Sequence, residues 1–278
     1  MNAPSDEIRK KLSDRLPSEL LSFIPNKWEK LGDVVIIKLH EKTKEYNELI
    51  AEVFANVLKA KTVLWDKSGI TGELREPSTE IIYGLDNCLT VHKENNIRYK
   101  LDPRKVMFSS GNMDERIRMA KISNKSEVVV DLFAGIGYFT LPIAVYSRPK
   151  KIFACEKNPV AYGFLCENIS LNNVADIVEP LSGDNRVVAP KNVADRVILG
   201  YFGNTHSFLS TAFDCLKDHS GFIHYHDTFS EKAVPDDAMN YVNKVAEIYD
   251  KNIELLEYRS VKSYAPGISH YVFDIKVG

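Results

Sequence analysis

The run Asp131-Leu132-Phe133-Ala134-Gly135-Ile136-Gly137-Tyr138-Phe139 follows the apolar Val128-Val129-Val130, and 25 positions after Asp131 comes Glu156, closing Lys151-Ile152-Phe153-Ala154-Cys155. The valines read as a strand buried on both faces, after which Gly135 and Gly137 let the backbone turn sharply and approach a ligand where a Cβ would collide. An acid at the tip of the next strand can accept from two ribose hydroxyls, so one strand-turn-helix-strand unit builds the floor and the sugar clamp of a nucleoside pocket. Further on, Ile177-Val178-Glu179-Pro180-Leu181-Ser182-Gly183-Asp184-Asn185 ends a third strand on a second acid. Asp184 can accept from the exocyclic amine of adenine, and Asn185 adds a donor and an acceptor.

The glycine spacing separates two cofactor classes. A dinucleotide fingerprint needs a third glycine beneath a pyrophosphate, whereas the count from Gly135 and Gly137 reaches Thr140. The remaining Asp-x-Phe-Ala-Gly-x-Gly turn resembles the cofactor loop of class I S-adenosylmethionine-dependent transferases, which puts Asp131 and Gly135 in the cofactor site. A helix is expected through Leu141-Pro142-Ile143-Ala144-Val145, its amide donors near the ligand. Upstream, Asp114 is placed to cap a helix carrying Glu115, Arg116 and Arg118. From that helix Arg116 can reach a carboxylate, and the methionine moiety of such a cofactor has one. The fourth strand runs into Leu199-Gly200-Tyr201-Phe202-Gly203-Asn204-Thr205-His206. Tyr201 and Phe202 suit stacking on a base as well as they suit core packing. His206 is a candidate proton acceptor, with helix capping and core packing as competing roles. His224 and His226 share a strand face, but two histidines without a third ligand make no metal site.

The elements that must position these residues fall into three blocks. Residues 1–65 read as an N-terminal α/β segment, with a strand-like Val34-Val35-Ile36-Ile37 and a helix-like stretch over 43–60. Residues 66–112 read as a small antiparallel β-rich segment. Residues 113–278 alternate strands and helices as an α/β, Rossmann-type doubly wound sheet of the class I methyltransferase kind, with strands at 128–133, 151–156, 176–181, 195–201 and 221–227 and a terminal pair at 253–259 and 270–275. Hydrophobic content of 44% and charged content of 27% are those of an ordinary globular protein. No apolar run is long enough to span a membrane and the N-terminus lacks a signal peptide's apolar core, so a cytoplasmic protein is expected. Cys88, Cys155, Cys166 and Cys215 show no metal-binding or disulfide spacing. The net charge of −2 excludes a strongly basic nucleic-acid binder taken as a whole. Basic residues nevertheless gather before the cofactor loop, at Arg98, Lys100, Arg104, Lys105, Arg116, Arg118, Lys121 and Lys125. Such a run is more often a solvated surface than an RNA site.

Five motifs spread over nearly the whole chain then carry a resemblance: Ile24-Pro25 with Trp28-Glu29-Lys30-Leu31-Gly32-Asp33, Gly72-Glu73-Leu74-Arg75-Glu76-Pro77, His92-Lys93-Glu94-Asn95, Met107-Phe108-Ser109-Ser110-Gly111-Asn112, and the loop from Asp131 to Gly137. The chain resembles archaeal enzymes that modify the guanosine beside the tRNA anticodon. Two branches share this layout, one methylating guanine N1 at position 37 and the other moving the 3-amino-3-carboxypropyl group of S-adenosylmethionine onto the tricyclic base built there. The methylating branch carries Asn-Leu-Pro or Asn-Pro-Pro at the fourth-strand tip, so Leu199-Gly200-Tyr201-Phe202-Gly203 points to the second branch, with guanine37-N1 methyl transfer as the alternative. The resemblance implies cofactor contacts at Ser109, Arg116, Glu156, Asp184 and Asn185, a demethylwyosine base of tRNA(Phe) as acceptor, and an anticodon arm oriented by the first two blocks; the residues themselves point to neither metal nor membrane. The oligomeric state stays open, with a monomer as the default.

Overall fold

A computed structural model describes residues 3–201 and 203–278. They form two compact units, one reaching from the N-terminus to Glu94 and including Arg98–Ser110, the other comprising Asn95–Ile97 and Gly111–Gly278.

In the first unit, β1 (Trp28–Leu31), β2 (Val34–Ile37), β3 (Thr62–Thr71) and β4 (Glu76–Gly84) make one sheet in that order. The β2–β3 pair is parallel and the outer pairs are antiparallel. Two helices, α1 (Pro4–Ser13) and α2 (Asn47–Leu58), share a core with this sheet. The spacing of Ile50, Val53, Phe54 and Leu58 puts one apolar stripe on α2, and all four are buried with Ile8, Leu12, Val35 and Val63. Lys59, left-handed at φ 53°, ends the helix. The first four residues of the expected 43–60 helix belong instead to a 3-10 turn, Glu41–Tyr46. Strand β3 runs across residue 65, so one sheet spans both of the first two blocks read from the sequence. A separate hairpin pairs β5 (Thr90–Glu94) with β6 (Ile97–Leu101).

The second unit is built on seven strands. Helix α3 (Met113–Met119) precedes β7 (Val128–Asp131), and α4 (Thr140–Pro142) leads to β8 (Lys151–Glu156). Then come α5 (Pro159–Leu171), β9 (Val178–Ser182), α6 (Asn185–Val188), β10 (Arg196–Leu199), α7 (Leu209–Cys215), β11 (Gly221–Ser230), α8 (Asp236–Ile248), β12 (Ile253–Ala265) and β13 (Ile268–Val277). The sheet order is β12-β13-β11-β10-β7-β8-β9. Parallel pairing joins β9 through β11, and β13 runs antiparallel to both of its neighbours. Every residue of β10 is buried, as central strands covered on both faces require.

The chain leaves β7 toward β8 on one side, while β10 lies on the other. That reversal is the topological switch point, outside which α/β sheets bind ligands at the carboxyl ends of their strands. Strands β7 and β10 stop at Asp131 and Leu199, two residues short of the sequence expectation, because the chain turns out of the sheet there. The terminal hairpin is longer than expected and turns at Pro266-Gly267, with Gly267 at φ 71°. Among the described residues, no helix is long and apolar enough to cross a membrane.

Candidate active site

The loop after β7 is organised by its own acid. Asp131 is fully buried, accepting from the Thr140 hydroxyl at 2.7 Å and from the Phe133 amide at 3.2 Å. Burial pushes its carboxyl up to about 6, with the Thr140 bond opposing. The position where a dinucleotide site would carry a third glycine therefore supplies a hydroxyl that closes the turn on itself. Asp131 holds the loop from inside. Gly135 and Gly137 sit at φ 58° and 103°, and a Cβ there would run into the Tyr138 ring and into Leu141, so the turn needs glycine at both. The expected helix through Val145 is replaced by the short α4 and a wider π turn, Ile143–Ser147.

Glu156 ends β8 facing that turn. Its Oε2 accepts from the Gly135 amide at 2.7 Å and its Oε1 from the Asn158 amide at 2.6 Å. Burial raises its carboxyl pKa, with the two amides opposing. Asn158 in turn caps α5 through the Val160 amide, with Pro159 at the first helical position.

At the end of β9 the two candidates divide their work. Asp184 caps α6 through the Arg186 amide and binds the Arg186 side chain, Nε lying 2.8 Å from Oδ1, with Lys157 Nζ at 3.4 Å. The Arg186 bond holds its carboxyl below the usual range. Asn185 is buried, and its Nδ2 donates to the Leu132 carbonyl at 2.8 Å, while its Oδ1 is buried without a partner. The open acceptor at this edge thus belongs to Asn185.

Asn112 occupies the cap position of α3, and Asp114 is exposed in its first turn, so the cap expected at Asp114 is not formed. The short 3-10 turn Ser110–Asn112 starts the helix earlier than the acid. Arg116 and Glu115 on α3 are buried, and α3 packs against α4. Ser109 belongs to the first unit. Asp131, Gly135, Glu156 and Asn185 are thus joined by direct contacts around one turn, and Arg116 stands on the helix packed behind it.

The tip of β10 makes the opposite wall. Tyr201 stacks on Phe133 with centroids 5.1 Å apart, and Phe208 meets both rings edge-on. The expected base-stacking role of Phe202 lies outside the described residues. A Cβ on Gly200 would come within 2.9 Å of the Phe139 ring, which itself stacks on His226. His206 stacks on Tyr241 of α8 at 4.3 Å.

A buried polar chain unannounced by any sequence motif crosses the sheet. Arg196 donates to Glu127 at 2.8 Å and to His224 at 2.7 Å, and His224 Nδ1 bonds Asp274 at 2.6 Å. Asp274 pairs with Arg118, and Arg118 with Glu115. Beyond Glu115, His226 Nε2 lies 3.8 Å away and its Nδ1 is 3.2 Å from His270. Burial raises the Glu115 carboxyl pKa and lowers those of His224, His226 and His270. Part of the basic run read in the sequence is therefore turned inward, with Arg116 buried and Arg118 partly buried among its acid partners, and Arg104 pairs with Asp86 and Asp102. The only local hint was the alternation of His224 and His226. Their partners come from distant strands.

The model of the TRM5/TYW2 methyltransferase domain matches residues 90–256, and that of the TYW2 N-terminal domain matches residues 8–87. A tRNA(Phe) (4-demethylwyosine(37)-C(7)) aminocarboxypropyltransferase of Pyrococcus horikoshii is 45% identical over 97% of this chain and 96% of its own. A protein of the same name from Methanocaldococcus jannaschii is 47% identical over 90% of this chain and 97% of its own. The crystal structure of P. horikoshii TYW2 in complex with MeSAdo superposes with a TM-score of 0.87 at 42% identity, covering 98% of both chains.

Proposed function

Since the chain belongs to the family of the TRM5/TYW2 methyltransferase domain, we propose that it transfers the 3-amino-3-carboxypropyl group of S-adenosylmethionine to C7 of 4-demethylwyosine at position 37 of tRNA(Phe). The observation that carries this reading is likeness along nearly the full length to two aminocarboxypropyltransferases, including a match to the N-terminal domain of that branch. As a tRNA-modifying enzyme it works in the cytoplasm, with the anticodon arm as its macromolecular substrate.

The residues at the crevice fit the cofactor. Glu156 keeps lone pairs beyond the two amides it already serves and can accept from ribose hydroxyls. The orphaned Oδ1 of Asn185 is an acceptor that a buried adenine amine would satisfy. Asp184 contributes by starting α6 and so presenting Asn185. Arg116 supplies a cation for the methionine carboxylate, and a guanidinium fork holds a carboxylate in a fixed orientation. When bound, S-adenosylmethionine supplies a sulfonium whose Cγ is open to displacement, the electron pair staying on sulfur and the acceptor ring carbon then losing a proton. The protein's task is selection by position, since all three carbons on the sulfur are activated and near-attack geometry demands about 3–3.5 Å between reacting atoms.

Paired labels test the reading. Cofactor labelled in the methionine backbone is expected to label tRNA that already carries the tricyclic base, with 5′-methylthioadenosine released. Transfer from methyl-labelled cofactor to tRNA with unmodified guanosine would replace it by guanine-N1 methylation.

A further inference from the structure

We propose that Asp227 is a positioning residue for this transfer, holding the wall of the crevice that follows β10. The inference rests on the function proposed above.

Asp227 lies on β11 and is buried. Its Oδ1 accepts from the Gly203 amide at 2.7 Å and its Oδ2 from the Thr205 amide at 2.9 Å. The Thr228 amide, at 2.8 Å, and the Tyr225 hydroxyl, at 3.3 Å, complete its surroundings. Two of these four donors come from the segment after β10, 22 and 24 positions back in the chain. A carboxylate with several amide donors is a strong, directional anchor. It also caps the helical stretch Thr205–Cys215 from outside, since no side chain of its own segment does so.

The anchored segment is the one whose position matters. Tyr201, just before it, stacks on Phe133 of the β7 loop, and Gly203 sits at φ 105°, a conformation that favours glycine. One end of the segment is therefore tied to the cofactor loop through an aromatic stack and the other to β11 through Asp227. Gly203 and Thr205, after the tip of β10, are held in place by a neighbouring strand through Asp227. Asp227 fixes how far that wall stands from the crevice without itself facing the reacting atoms.

The test is the variant Asp227→Asn, which keeps the volume but replaces one accepting oxygen by a donor that opposes the amide. The dissociation constant for S-adenosylmethionine is expected to stay within about threefold, while kcat for backbone-label transfer falls roughly 10- to 100-fold, the usual cost of a misplacement near 1 Å. Amide exchange at Gly203 and Thr205 should speed up in parallel. Tyr225→Phe removes only the hydroxyl and should leave kcat within about twofold. Asp227→Ser, whose shorter side chain withdraws from both amides, should lose at least as much kcat as the Asn variant and stands in for it if that variant does not fold. Unchanged kcat despite faster exchange at the two amides would overturn the proposal. So would an equal loss of cofactor affinity and kcat, which would make Asp227 a support of the fold alone. If wild-type protein transferred only methyl label, the functional reading would fall, yet the same split between affinity and kcat would still judge Asp227.

Discussion

The Glu156 carboxylate lies 2.7 Å from the Gly135 amide, so the acid expected to meet the ribose also grips the turn on which the ribose would rest. Glu156→Ala should weaken S-adenosylmethionine binding by about 1.5–3 kcal/mol, the range for hydrogen bonds to a charged group. Calorimetry with Glu156→Gln beside it separates the two tasks. The amide side chain keeps one acceptor, and a smaller loss for Gln would show that acceptance, more than charge, is what the site needs.

Asp131 gives a pH signature. Its folded carboxyl is held near 6 against an ordinary 3.8, so between those values the native state keeps a proton that the unfolded chain has lost. Stability from this group therefore falls as pH rises from about 4 to 6 and is flat above. Asp131→Asn has no such titration, and its stability relative to wild type should climb across that window and then level off. Denaturant melts at pH 4, 5, 6 and 7 read the difference, and a constant gap would place the Asp131 pKa elsewhere.

Arg116 should discriminate between ligands with and without the methionine carboxylate. Arg116→Ala is expected to weaken S-adenosylmethionine by about 1.5–3 kcal/mol, while 5′-methylthioadenosine, lacking that group, binds almost as before. Competition binding of the two compounds checks this. Equal losses would remove Arg116 from carboxylate recognition.

Gly200 is a packing constraint on the tip. A Cβ there meets Phe139 at 2.9 and 3.1 Å, and Phe139 is backed by His226 at 5.0 Å between centroids. Gly200→Ala should therefore cost about 1–3 kcal/mol, as overpacking does, with a loss of transfer activity exceeding the loss of cofactor affinity. A thermal melt and kcat measured on the same sample test both halves.

The strand, turn and helix start around the candidate site could be read because they are local. Val128 to Gly137 encode a strand and a turn within ten residues, and Asn158-Pro159 encodes a helix start by cap and ring geometry. One misplaced feature was local too, where two short signals competed. Asp114 had the chemistry of a cap, yet Ser110–Asn112 had already begun the turn. Asp184 was read for its charge, and the fold adds that it also binds Arg186 two residues on, while the neighbouring Asn185 Oδ1 is buried without a partner.

By itself the sequence determined the glycine turn after β7, the alternation of strands and helices and, through motifs along the chain, the family. The tertiary structure decided which side chains face one another across strands. Asp227 reaches Gly203 and Thr205 because β11 lies beside β10, and His224 meets Asp274 because they are register partners on β11 and β13. Such pairings depend on sheet order and register, which are set by the packing of the whole core, and no spacing within one segment encodes them.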